Sequence, residues 1–163
     1  MPNVKSILKI FLIILIVGII FLSIGAYLML RKIPAGSINQ NSPEVKITYT
    51  NFAEVISGND VVQNLPEGST LLLEFYKFEA GERKIDKMFI LQRGIVREGL
   101  ISGEDIHLSL DSKYLDNMTT RNFCSIISSA KQNGDLGFQS SLSPTSLAWK
   151  FKSIYKYRDC FGF

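Results

Sequence analysis

The sequence predicts an α+β protein, with one N-terminal transmembrane helix followed by a mostly antiparallel sheet with packed helices. Three observations carry this. Ile10 to Leu30 is an almost unbroken apolar run with no charge inside it. Residues 70 to 110 read as short strands punctuated by glycine-bearing turns. On either side of them, apolar residues recur at helical spacing.

Only Gly18, Ser23, Gly25 and Ala26 interrupt the apolar run, and Lys5, Lys9, Arg31 and Lys32 bound it. At a rise of about 1.5 Å per residue it is long enough to cross a bilayer core. A continuous helix satisfies its own backbone hydrogen bonds there. A cleaved secretory signal has a shorter apolar core ending in a small-residue site. Residues 1–32 are therefore expected to be a retained single-pass anchor. The basic residues on its two sides nearly balance. The very short N-terminal tail favours leaving the N-terminus inside and exporting the domain.

Residues 33–47, with Pro34, Gly36, Ser37 and Pro43, read as a linker, and residues 48–163 as one domain with a modest core. After Lys32 the chain has 14 basic and 15 acidic residues, a net of about −1. That balance argues against a nucleic-acid partner, which needs a basic footprint. Cys124 and Cys160 have no metal-ligand spacing. An exported domain would let them pair; two separate thiols packed as small hydrophobes are the expectation.

Along the domain, Asn51 is placed to cap a short helix to about Ser57, with Phe52, Val55 and Ile56 on one face. Gly58, Asn59 and Asp60 break it, and Leu65-Pro66-Glu67-Gly68 is a turn. Strands are expected at Thr70–Phe78, Ile85–Gln92, Ile95–Ile101 and Asp105–Leu110, as an antiparallel meander. The first two are apolar on both faces, as Leu71, Leu73 and Phe75 stand against Leu72 and Tyr76. Such strands must be covered on both sides.

Asp111 or Ser112 caps a helix carrying Tyr114, Leu115 and Met118, and a second helix runs from Thr120 to Lys131. Leu136 to Ser140 is a short strand. Ser143 and Pro144 open a closing helix to about Tyr157, with Leu147, Phe151, Ile154 and Tyr155 as its core stripe. Trp149 falls opposite that stripe, with Lys152 and Lys156; this is either the pattern of an interfacial helix or a tryptophan covered by the linker or the C-terminal tail.

Three segments together carry a resemblance. Asp105-Ile106-His107-Leu108-Ser109-Leu110-Asp111 enters a helix with Tyr114, Leu115 and Met118. Gly134-Asp135-Leu136-Gly137-Phe138 and Leu147-Ala148-Trp149-Lys150-Phe151-Lys152 follow in order. This arrangement, over about residues 48–157, resembles the sterol carrier protein type-2 lipid-binding domain. The resemblance implies an apolar tunnel between sheet and helices that holds a lipid tail. Its walls are expected at Leu73, Phe75, Ile90, Leu147 and Phe151, with entry beside Trp149.

Asp105, His107 and Ser109 alternate on one strand and are the residue types of a hydrolase triad. Neighbours on one strand face stand about 6.7 Å apart and do not converge, so the expectation is a solvated strand face and no enzyme. Glu82, Asp86, Glu98, Glu104 and Asp105 flank turns and read as solvated charge. Asn117-Met118-Thr119 is a glycosylation sequon, relevant to an exported domain. The functional expectation is a membrane-tethered domain that binds or presents sterol or fatty-acyl lipid, without cofactor or metal. The alternative is a membrane-anchored interaction module whose sheet is buried by a protein partner or a second copy.

Overall fold

The computed structural model describes residues Glu44 to Cys160. The helices α1 (Phe52–Ser57) and α2 (Asp60–Gln63) come first, then the strands β1 (Leu71–Glu79), β2 (Glu82–Gln92), β3 (Ile95–Glu98) and β4 (Ile106–Asp111). A 3-10 helix (Ser112–Asn117), α3 (Phe123–Gln132), β5 (Leu136–Ser140), α4 (Pro144–Lys150) and a second 3-10 helix (Lys152–Tyr157) complete the chain. The strands form one sheet in the order β3-β2-β1-β4-β5.

The sheet is mixed, which corrects the expected antiparallel meander. β1 runs parallel to β4, from Leu71 opposite Ile106 to Tyr76 opposite Asp111, and the other pairs are antiparallel. Parallel neighbours need a crossover. Here β3 stops at Glu98, and the chain returns from the sheet edge to the far side of β1. The return begins beside β2, where Gly99 N–H donates to Met88 O at 3.0 Å and a side chain at Gly99 would meet Ile90 Cδ1 at 3.4 Å. It ends where Asp105 N–H donates to Thr70 O at 2.9 Å.

The expected transmembrane helix is not part of this fold, which is a second correction. No helix among the described residues is long and apolar enough to cross a membrane. The span assigned to Ile10 to Leu30, and most of the linker, lie outside the described residues. The single-pass placement and its orientation accordingly draw no support from the fold.

Strand alternation divides the sheet into two faces. Leu71, Leu73, Phe75, Phe89, Leu91, Val96, Ile106 and Leu110 point to one, and every described helix except α4 adds buried residues to the core there. Phe52 lies at its centre, 5.3 Å from the Phe75 ring and 4.4 Å from Phe89 between ring centroids. Ile47, at the end of the expected linker, is fully buried in the same core, and the adjacent Lys46 bridges to Thr119.

Local chemistry explains the helix ends. Asn59 accepts from Val61 N–H, Asp111 from Lys113 N–H and Ser143 from Ser146 N–H, so each satisfies a first-turn donor. Asn51 does not cap α1 with its side chain. Its Oδ1 accepts from Thr48 N–H at 2.8 Å and its Nδ2 donates to Lys46 O at 2.9 Å, which folds the entering chain instead. Cys124 and Cys160 are joined as a disulfide, contrary to the expectation of two separate thiols. It ties the end of the described chain to α3.

Candidate binding cleft at the end of the parallel strands

The opposite sheet face carries Leu72, Glu74, Tyr76 and Phe78 on β1, with Arg83, Ile85, Met88 and Ile90 across on β2. Leu72 and Ile90 are buried at the end crossed by the returning chain, whereas Phe78 and Ile85 are more than half exposed. Glu74 is buried, and its charge is met by Arg83 Nη2 at 2.8 Å. Arg83 also lies 3.8 Å over the Tyr76 ring. His107 Nε2 stands 3.3 Å from Glu74 Oε2 but makes no hydrogen bond.

β1 is longer than β4, and this sets up a cavity at the surface. The β1–β4 ladder ends at Tyr76, yet β1 continues through Lys77, Phe78 and Glu79 as one arm of the hairpin with β2. Among the described residues no strand pairs with β1 beyond Tyr76 on that side. A cleft of about 560 Å³ opens there, with the 3-10 helix after β4 and the segment Lys46 to Tyr49 as its other walls. Its volume lies in the range of roughly 300–1,000 Å³ usual for ligand sites. It sits outside the carboxyl ends of the two parallel strands, where the end of one strand leaves a crevice.

The charges in the cleft balance, with Lys46, Lys77 and Lys113 facing Asp86, Asp111 and Asp116. Lys77 contacts Glu79 at 3.0 Å and Asp86 at 3.6 Å. Its ammonium is held above its ordinary pKa, first by the hydrogen bond to Glu79 and then by the Asp86 charge. Lys113 bonds Asp135 at 2.8 Å and is raised chiefly by that bond. Tyr49 Oη donates to Asp86 Oδ2 at 2.7 Å. Burial, and then this bond, push the phenol well above its usual range, so Tyr49 stays a protonated donor. The cleft thus offers fixed polar groups of both signs beside an open strand edge. That suits a polypeptide backbone better than a strongly charged ligand.

The residues expected to line a lipid tunnel do not converge on one cavity. Leu73, Phe75 and Phe151 are buried in the core, Ile90 is buried on the opposite face, Leu147 is partly buried, and Trp149 is 74% exposed. A mostly apolar cavity between sheet and closing segment is lined by Leu71, Ile106, Leu108, Leu136, Phe138 and Ile154, with Lys131, and has a volume of about 80 Å³. An apolar cavity that accepts benzene measures about 150 Å³, so this one has room for a few methylene groups.

The three triad residue types are not assembled either. Asp105 precedes β4 and turns away, with both oxygens on Lys150 Nζ at 2.7 and 2.8 Å and Oδ2 accepting from Thr70 N–H at 2.9 Å. His107 is set between Glu74 and Glu104, and Ser109 Oγ lies against Gly137 on β5. Among the described residues there is also no group of His, Cys, Asp and Glu able to hold a metal ion.

Tyr49, Lys77, Ser112 and Lys113 had no motif to mark them in the sequence. The one available signal was the length of β1 against the shorter β4, legible only once the two are known to be neighbours. Comparison with family models, curated proteins and solved structures finds no match to this chain.

Proposed function

We propose that this chain is a non-catalytic protein-interaction module that takes an extended segment of a partner polypeptide into the cleft beside β1. The observation that carries the reading is the edge of Lys77 to Glu79, unpaired among the described residues, facing a cleft of about 560 Å³. An added strand there continues the line of β4 and satisfies the backbone groups that the end of β4 leaves open. The balanced charges select for register and orientation more than for net charge.

A lipid-binding or presenting domain is the other reading, supported by the apolar cavity beneath Ile154. At about 80 Å³ that cavity is the weaker support. The test is selection of binders from a displayed library of linear peptides, followed by hydrogen exchange of the purified chain with the best binder. The amides of residues 77–79 should slow at least tenfold, and Ser112→Trp, which fills the cleft, should abolish binding. Peptides that bind without slowing those amides would sink the strand-edge reading. Stoichiometric lipid recovered by mass spectrometry from the purified protein would favour the other.

A further inference from the structure

α4 ends at Lys150, and the chain continues as a 3-10 helix from Lys152. A 3-10 helix has about three residues per turn, so positions three apart eclipse one another. Lys152 and Tyr155 are three apart within this one, and cation–ring contacts join Trp149 to Lys152 at one end and Tyr155 to Arg158 at the other, so that aromatic rings alternate with cations. Lys152 Nζ lies 4.5 Å over the Trp149 ring, and Arg158 lies 5.1 Å from the Tyr155 ring, bonds its hydroxyl at 3.0 Å and stands 3.8 Å from the exposed carboxylate of Asp159. Trp149 is 74% and Tyr155 61% exposed, although both rings carry large apolar area. Lys156, which helical spacing placed beside Trp149, turns instead to Asn64 Oδ1 at 3.1 Å.

We infer that this row is a docking surface for an anionic lipid headgroup layer. Amphipathic rings such as tryptophan and tyrosine settle at the boundary between headgroups and acyl chains. Cations between them meet lipid phosphate and carboxylate while their stems lie along the rings. A single-stranded nucleic acid also uses stacked rings and cations, but it needs a basic groove that tracks its backbone. After Lys32, acidic residues outnumber basic ones by 15 to 14, so such a groove has little to draw on. The row lies apart from the cleft beside β1, and the strand-edge reading does not require it.

Trp149 is the only tryptophan in the chain, so its emission reports on the row alone. The experiment mixes the full-length protein with vesicles of phosphatidylcholine, with and without phosphatidylserine, and follows Trp149 emission and its quenching by brominated lipid. A blue shift and quenching on the phosphatidylserine vesicles, with much weaker changes on phosphatidylcholine alone, is the expected result. Lys152→Gln combined with Arg158→Gln should weaken the response about thirty-fold, since each basic side chain near such a surface contributes about fivefold. The readout is local, so attachment of the chain through any other segment does not imitate it. Unchanged emission, an equal response on both vesicles, or full binding by the double variant would overturn the inference. So would a shift produced by a single-stranded oligonucleotide and not by vesicles.

Discussion

At Gly137 the sheet has no room for a methyl group. A Cβ there would overlap Ser109 Oγ on the neighbouring strand, while Ser109 Cβ would lie at an ordinary 3.6 Å. Gly137→Ala should therefore cost about 1 kcal/mol, the cost of forcing the serine out of its rotamer. Ser109→Ala alone should stay within about 0.5 kcal/mol, because Ser109 belongs to no catalytic assembly. In the Ser109→Ala background the cost of Gly137→Ala should largely vanish. Urea denaturation of the four proteins measures that coupling, and additive costs would show that the two residues do not meet. Strand alternation did place His107 and Ser109 together on the face away from the helices. It misplaced Asp105, because that residue precedes the strand and is free of its alternation. Its partner Lys150 is 45 residues away, and no local pattern couples the two.

The closing segment shows how an element can be legible in outline and wrong in period. The pattern Leu147, Phe151, Ile154, Tyr155 fits one continuous α-helix, and the Ser143-Pro144 start is as expected. The helix stops at Lys150, and in the 3-10 turn that follows the inward row is Phe151, Ile154 and Tyr157, at intervals of three. Tyr155 is thereby turned out. α4 itself has no buried residue, so the segment depends on anchors at and beyond its end. These are Phe151, Tyr157, the Lys150–Asp105 pair and the Cys124–Cys160 disulfide. That bond closes a loop of 36 residues. Replacing both cysteines with serine should cost about 3–4 kcal/mol from loop-closure entropy in the unfolded chain, as measured by denaturant midpoint under oxidising conditions. A change below about 1 kcal/mol would mean that the two thiols are not joined in solution.

At the scale of the whole described fold, the doubly apolar strands are covered without a second helical layer among the described residues. Helices cover the Leu73 and Phe75 face, while on the other face the returning chain starts against Ile90 at Gly99 and reaches Thr70 at Asp105. Arg83 and His107 surround the buried Glu74 on that face. The sequence showed that both faces needed cover, but not that a loop would supply it. Parallel pairing of β1 with β4 depends on which strands meet, and that is decided by contacts far apart in the chain.

The described core runs from Ile47 to Cys160 and draws on every described helix except α4 and on β1 to β4. A core closed in this way sets the unit that folds. Its first contribution, Ile47, lies close after Glu44, whose carboxylate accepts from Thr119 Oγ1 at 2.8 Å. A chain beginning at Ser42 keeps both contacts, whereas one beginning at Thr48 loses Ile47 and the Lys46 bridge to Thr119. The longer fragment should unfold in one cooperative transition with a steep denaturant dependence. The shorter one should be less stable by about 2–4 kcal/mol, the cost of emptying a buried isoleucine site and breaking its strand-like contacts. Equal midpoints for the two fragments would show that the segment before Thr48 is not part of the folded unit.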